Sequence, residues 1–231
     1  MINTKTSIQN RSVELTKLSK LYQKIYTFQL ALGNQNISQA HYNLSISSNY
    51  KFIWFRVAKS GTRTLFNLFD KHNIKLSADH AMAVRYNTRA YLNYFKFAFV
   101  RNPWDRVFSC WKNKVLQENY FGFNPSDHVK MQDFSNFIGF IENTDLEKAN
   151  HHIKLQSALI DLNNVDFVGK LENFDQDIKT VFSNIGIPFK SSLHLNKTDI
   201  GYAYQKAYTT KLKEQIAKKY AADIDAFGYT F

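Results

Sequence analysis

Short apolar runs alternate with segments of helical spacing along most of the chain. Three runs rich in β-branched and aromatic residues each lead through a polar turn into apolar positions at helical spacing, which predicts three strand–turn–helix units. Because each strand is a nearly continuous apolar run, we expect helices on both faces of a mainly parallel sheet, as in an α/β fold. The predicted strands lie at residues 50–57, 94–100 and 165–171, and the following helices include residues 65–69, 107–115 and 175–185.

Additional helices are predicted at both ends of the chain. Residues 13–32 place apolar side chains near helical spacing and stop at Gly33, and a last helix spans residues 208–222. A polar connection leads from the first helix to the first strand. No linker or repeat divides the chain, so we predict an N-terminal helical extension at residues 1–49 and one domain at residues 50–231.

The composition of the 231 residues excludes several classes of protein. With 44% hydrophobic residues the chain can bury a core, and its single cysteine, Cys110, excludes a disulfide framework and a cysteine-based zinc cluster. Residues 1–24 lack the apolar region of a signal peptide, and no stretch approaches the roughly 18 apolar residues of a membrane span. We therefore expect a cytoplasmic protein without a transmembrane segment.

The formal net charge of +11 is concentrated in one part of the chain. Residues 51–115 carry thirteen Lys and Arg against three acidic residues, a net charge of +10, whereas residues 116–231 have a net charge of −3. A positive field confined to part of one domain favours a bound anion, whereas nucleic-acid binders often spread their charge over a face or tail. A basic nucleic-acid-binding module is therefore the alternative and not the first hypothesis.

The turn after the first predicted strand has the chemistry of an anion site. Strand ends that lead into helices are where α/β sheets bind ligands, and a helix N-terminus favours negative charge. Because Lys59 precedes the only glycine of the turn, the Walker A pattern is absent and a nucleoside triphosphatase is disfavoured. The glycine of the turn, Gly61, permits an unusual backbone conformation. The turn also offers two cations, Lys59 and Arg63, and three hydroxyl donors, Ser60, Thr62 and Thr64.

A second anion-binding turn follows the second predicted strand. Arg101 stands at the strand end and Ser109 lies eight residues later on the next helix, where both side chains can reach one phosphate. Asn102 or Asp105 is expected to cap this helix. The two turns begin 42 residues apart (101 minus 59), which suggests a ligand with two separated phosphate groups.

With these two turns the sequence resembles the sulfotransferases that use 3′-phosphoadenosine-5′-phosphosulfate (PAPS), and most closely their carbohydrate branch. The Lys-Ser-Gly-Thr turn is similar to the family loop for the 5′-phosphosulfate, and Arg101-Asn-Pro-Trp-Asp-Arg-Val-Phe-Ser109 is similar to the motif for the 3′-phosphate. Ala58 stands where the family usually has proline, and Arg63-Thr64 where Thr-Ser is commoner. Weaker similarities, such as His152-Ile-Lys-Leu-Gln156, extend the resemblance over residues 50–231.

The resemblance implies a P-loop-like three-layer core and a set of site residues. Lys59 would stabilise the charge that develops on the leaving-group oxygen, since group transfer of this kind depends on electrostatic stabilisation. No metal is implied. The implied cofactor-binding residues are Lys59, Ser60, Gly61, Thr62, Arg63, Thr64, Arg101, Ser109, Lys170 and Lys197.

The expected acceptor is a hydroxyl, which needs a base within hydrogen-bond reach. His80 is the first candidate because histidines between the two motifs often serve as base in similar enzymes; His152 is the second, with Glu118 and Asp79 behind it. The sequence thus predicts sulfuryl transfer from PAPS to a hydroxyl of a carbohydrate or glycoconjugate, with no nucleic-acid partner. A sulfotransferase-like protein that binds nucleotide without turnover is a further alternative; peripheral membrane contact and the oligomeric state are left open.

Overall fold

In the computed structural model, five strands form one mixed sheet in the order β3-β1-β2-β4-β5. The structure describes residues 4–80, 82–189 and 204–231, with side chains from residue 16 onward. β2 pairs in parallel with β4, and β4 with β5, whereas β1 pairs antiparallel with β2 and β3. The α/β class is confirmed, and the three predicted strands form its parallel part. The strands are β1 (Leu44–Ser47), β2 (Phe52–Phe55), β3 (Ala78–Asp79), β4 (Phe95–Val100) and β5 (Phe167–Lys170).

Eight α-helices accompany this sheet in the described parts of the chain. A π-helical turn, Lys112–Leu116, continues the third of them directly. Asn102 caps that helix, because its side chain accepts a hydrogen bond from the Trp104 N–H at 3.1 Å. No helix in these residues is long and apolar enough to cross a bilayer. The helices are α1 (Thr4–Ala31), α2 (Thr62–Lys71), α3 (Pro103–Trp111), α4 (Pro125–Met131), α5 (Phe134–Glu142), α6 (Phe174–Asn184), α7 (Thr210–Lys219) and α8 (Ala221–Phe227).

The structure differs from the sequence prediction at β1 and near the C-terminus. The polar connection contains β1, whose serines look exposed in the sequence but are buried with their hydroxyls satisfied. Ser45 donates to Asp79 Oδ1 and Ser47 to the Lys75 carbonyl, each at 2.7 Å. β1 therefore brings part of the predicted extension into the sheet. The single helix predicted at 208–222 is divided into α7 and α8.

The central parallel strands β2 and β4 are buried on both faces, which explains their continuous apolar sequences. Phe52 and Phe97 belong to a cluster with side chains of α2 and α6, while Phe55 and Val100 belong to a cluster on the opposite face. A third cluster joins α3, α5 and α7. These layers fix the carboxyl ends of β2 and β4 side by side, with the two predicted anion-binding turns directly after them.

Candidate functional site

The carboxyl ends of β2 and β4 open into a cavity of about 1450 Å³. Among the described residues that line it, Asp105 is the only acidic one. The cavity therefore has a strongly positive lining, as an anionic ligand requires. The lining cations are Arg56, Lys59, Arg63, Lys71, Arg101, Lys112, Lys114 and Lys154, and other lining residues include Gly61, Thr62, Thr64, Ser109, Asn113, His41, His151 and His152.

The first turn has an unusual backbone at two positions. Lys59 has a φ of 70° and Gly61 a φ of 83°, both in the left-handed region. A side chain on Gly61 would also place its Cβ 3.0 Å from Leu171 Cδ1, so glycine is required here. Lys59 has no such freedom, and a left-handed non-glycine residue at a strand end is a form of strain typical of functional sites.

The Lys59 side chain is held at the cavity wall by the π-helical turn. Its Nζ donates a hydrogen bond to Asn113 Oδ1 at 3.1 Å. Burial lowers the pKa of Lys59 to about 8, and the nearby cations Arg101 and Arg63 act in the same direction, opposed by Cys110. The ammonium is therefore still mainly charged at neutral pH, and it gains more from an anionic ligand than an exposed lysine does.

The second turn is bound to the first through Arg101. Its Nε donates to Asp105 Oδ2 at 2.7 Å, and its Nη1 donates to the carbonyl of Lys59 at 3.2 Å. Ser109 also lines the cavity, two turns along α3. The structure therefore brings Arg101 and Ser109, the cation and the hydroxyl of the second motif, into one cavity with the first turn.

Gln156 is a buried cross-link between the two turns. Its Oε1 accepts from the Arg101 N–H at 2.9 Å and from Ser60 Oγ at 3.3 Å, and its Nε2 donates to the Arg101 carbonyl at 2.8 Å. The Gln156 N–H in turn donates to Asp223 Oδ2 at 2.8 Å. This network ties the strand ends to α8 and fixes the spacing of the two turns.

Arg106, on α3, is a second buried cross-link beside the cavity. Its side chain is 1% exposed and donates three hydrogen bonds to backbone carbonyls. The acceptors are Ala58 at 3.0 Å, Lys154 at 2.8 Å and His151 at 3.0 Å. Arg106 therefore positions the histidine-bearing segment against the start of the first turn.

Two of the predicted cofactor-binding residues that the structure describes, Ser60 and Lys170, are not brought into the cavity lining. Ser60 is 2% exposed and its hydroxyl binds Gln156, so its side chain stabilises the turn. Lys170 Nζ lies 3.4 Å from the Gly228 carbonyl and 4.7 Å from the centre of the Tyr229 ring. Lys197 lies outside the described residues. The other predicted binding residues line the cavity.

His80, the first candidate base, is also absent from the cavity lining. It is buried, with Nδ1 3.3 Å from Ser19 Oγ of α1 and its ring centre 5.1 Å from that of Tyr22 in an edge arrangement. The geometry gives the base role no support, and instead His80 fastens α1 to the sheet edge. The two carboxylates named as further candidates are in ion pairs, Asp79 with Arg56 at 3.0 Å and Glu118 with Lys114 at 2.6 Å.

His152 lines the cavity, and its hydrogen bonds define the tautomer of the imidazole. Asn150 Oδ1 accepts the His152 backbone N–H at 3.0 Å, so the ring Nδ1, 2.9 Å from the same oxygen, must carry a hydrogen. Its Nε2 then has a lone pair. Burial, and after it the ring of His151 and the cation of Lys114, hold the pKa of His152 far below its usual range. The imidazole of His152 is therefore neutral at pH 7.

Sequence reasoning missed Asn113, Gln156 and Arg106 as parts of this site. Gln156 and Arg106 lie inside the strings that carry the family resemblance, so a signal for them was present. Asn113 reaches Lys59 from the π-helical turn, and no sequence pattern predicts that turn.

The fold and the cavity define an α/β protein with two linked cationic turns at neighbouring strand ends. The family model described as "Sulfotransferase family" matches residues 42–230, and the chain belongs to this family. No solved structure gave a significant match.

Curated relatives are similar at low identity. Carbohydrate sulfotransferase 14 of Homo sapiens is 23% identical over 241 residues, covering 87% of this chain and 63% of the relative. The Danio rerio protein of the same name is 23% identical over 215 residues, covering 76% and 56%, respectively. Carbohydrate sulfotransferase 12 of Mus musculus is 27% identical over 207 residues, covering 75% and 48%. The chain thus spans less than two thirds of each of these relatives.

Proposed function

We propose that this protein transfers a sulfuryl group from PAPS to a hydroxyl of a carbohydrate or glycoconjugate. One observation carries the proposal: the two cationic turns, after β2 and after β4, line one cavity and are joined by the hydrogen bond from Arg101 to the Lys59 carbonyl. The family membership supports sulfuryl transfer, and the names of the similar proteins support a carbohydrate acceptor.

The residues present fit the two anionic ends of PAPS. Lys59 and residues 61–64 would hold the 5′-phosphosulfate, since they combine cations, hydroxyls and the N-terminus of α2. Arg101 and Ser109 would hold the 3′-phosphate. The bound donor supplies an activated sulfuryl group. The Lys59 ammonium would stabilise the charge that develops on the leaving oxygen, which is the role of a preorganised cation in catalysis.

His152 is the proposed general base. The lone pair on Nε2 takes the proton of the acceptor hydroxyl as the new oxygen–sulfur bond forms and the sulfur–oxygen bond to the 5′-phosphate breaks. Asn150 keeps the other ring nitrogen protonated, and the Tyr120 ring packs edge-on with its centre 4.6 Å from that of the imidazole. These contacts fix both the tautomer and the position of the ring.

Ligand binding and transfer together test this function. Adenosine 3′,5′-bisphosphate is expected to raise the melting temperature well above the effect of AMP, because it fills both turns and binds the folded state more tightly. Labelled PAPS is then screened against a panel of neutral and acidic glycans for transfer. Equal shifts with both nucleotides would contradict the two-phosphate site, and binding without transfer to any glycan would favour a nucleotide-binding protein without turnover.

A further inference from the structure

The outer face of α1 carries a stripe of exposed apolar side chains. Leu18, Leu21, Ile25, Phe28 and Leu32, here called the apolar stripe, follow each other at intervals of three or four residues and so lie on one side of the helix. Phe28 is 65% exposed and Leu32 71%. An amphipathic helix of a globular protein normally buries such a stripe, and here it faces away from the core.

A different face of α1 attaches the helix to the rest of the protein. Ser19 is fully buried and contacts His80, and Tyr22 packs on the core cluster beside β1 and β2. These residues alternate with the apolar stripe along the sequence and lie on the neighbouring side of the helix. Ser19 and Tyr22 therefore hold α1 in place, and the side chains of the apolar stripe are not needed for this attachment.

Three lysines beside the apolar stripe indicate the kind of surface that the stripe contacts. Lys17, Lys20 and Lys24 are exposed on the side of the stripe opposite to the buried face. Residues 16–32 contain no acidic side chain. An apolar stripe bordered by lysines is typical of helices that lie in the interface of an anionic bilayer. Residues 16–32 of a second copy would bring only further lysines and no carboxylate to this part of the helix, which favours an anionic lipid surface over self-pairing.

We infer that the apolar stripe of α1 docks on a lipid surface that contains anionic headgroups. The leucine, isoleucine and phenylalanine side chains would enter the boundary between headgroups and acyl chains, and the three lysines would contact headgroup anions. This inference depends on α1 alone and does not rest on the proposed function.

Flotation of the full chain with lipid vesicles tests the apolar contact. The protein is expected to float with vesicles of phosphatidylcholine mixed with phosphatidylserine, and much less with phosphatidylcholine alone. The double substitution Leu21→Glu with Phe28→Glu is expected to abolish flotation. Val129→Glu is the matched control, because Val129 is 67% exposed on α4 and lies outside the stripe. Thermal unfolding of each variant confirms that the fold is retained.

The lysines are tested separately. Lys17→Gln, Lys20→Gln and Lys24→Gln together are expected to lower the affinity for the anionic vesicles about a hundredfold, whereas Lys179→Gln, Lys211→Gln and Lys218→Gln, all exposed, serve as the control triple. No flotation of the wild type, or flotation unaffected by the stripe variant, overturns the inference. A dimer in sedimentation experiments that the stripe variant dissociates, without lipid binding, assigns the stripe to a second copy and also overturns it.

Discussion

The Nη1 atom of Arg101 lies 3.2 Å from the carbonyl oxygen of Lys59, so a side chain of the second turn holds the backbone of the first. The same guanidinium is fixed by Asp105, and the backbone of Arg101 is fixed by Gln156. Arg101 is thus held in place by two other segments of the chain, the first turn through Lys59 and the segment that carries Gln156. These hydrogen bonds link the two halves of the candidate donor site, so we expect a substitution in one turn to affect the other.

Arg101→Ala is expected to weaken the binding of adenosine 3′,5′-bisphosphate ten- to hundredfold, or about 1.5 to 3 kcal/mol, because a charged donor to the 3′-phosphate is lost. Arg101→Lys retains the charge but not the planar fork, so its loss is expected to be smaller. Calorimetric titration measures both variants, with AMP as the ligand that lacks the 3′-phosphate. Unchanged affinity in Arg101→Ala would place the 3′-phosphate elsewhere.

Lys59→Ala is expected to lower the rate of sulfuryl transfer about a hundred- to thousandfold while weakening PAPS binding far less. The reason is that the charge on the leaving oxygen is small in the ground state and large in the transition state. Single-turnover transfer and equilibrium binding separate the two effects. Lys71→Ala is the control, since Lys71 lines the same cavity at the far end of α2. Full transfer by Lys59→Ala would contradict the mechanism.

Asn113 is expected to set the pH range in which Lys59 is charged. Because the pKa of Lys59 is about 8 in the free protein, kcat/KM is expected to fall as the pH rises through about 8. Asn113→Ala removes the acceptor at 3.1 Å and moves this fall to lower pH, whereas Asn113→Asp adds a negative charge there and moves it to higher pH. A pH profile of kcat/KM for the three proteins measures the shifts; identical midpoints would show that Asn113 does not act on Lys59.

The parallel part of the sheet and both turns could be predicted from the sequence because they depend on local patterns. The strands after which the turns follow are buried on both faces, so their sequences are continuous apolar runs. β1 could not be predicted in this way, since Ser45 and Ser47 satisfy their hydroxyls only through residues 28 to 34 positions away. The domain boundary after residue 49 and the cytoplasmic location stay predictions.

The residues of the candidate site could be predicted only where their charge or backbone conformation is evident from the neighbouring sequence. Lys59, Gly61 and Arg101 are recognisable from their turns, but the direction of a side chain depends on distant partners. Ser60 turns to Gln156, 96 residues away, and Lys170 turns to Gly228, 58 residues away. Such long-range contacts leave no periodic signal in the sequence, so neither side-chain direction can be predicted from it.

Substitution of His152 and of His80 by alanine is expected to affect the rate of sulfuryl transfer differently. His152→Ala removes the proposed proton acceptor and is expected to lower single-turnover transfer about a hundred- to ten-thousandfold, with PAPS binding retained. His80→Ala is expected to transfer at the wild-type rate, because the ring contacts Ser19 and Tyr22 of α1 and does not line the cavity. Its effect is on stability, a loss of about 1 to 3 kcal/mol in the free energy of unfolding.

The pH dependence gives an independent check of this assignment. A base with the ordinary histidine pKa of about 6.5 would make kcat/KM rise between about pH 6 and about pH 7. Burial and the neighbouring His151 keep the pKa of His152 far below that range, so it is already neutral and the profile is expected to be level there. Asn150→Asp places a carboxylate beside Nδ1, raises the pKa of His152 and is expected to introduce a rise with pH that the wild type lacks. If His152→Ala transfers at the full rate and His80→Ala does not, the base is His80 and α1 must move to admit the acceptor.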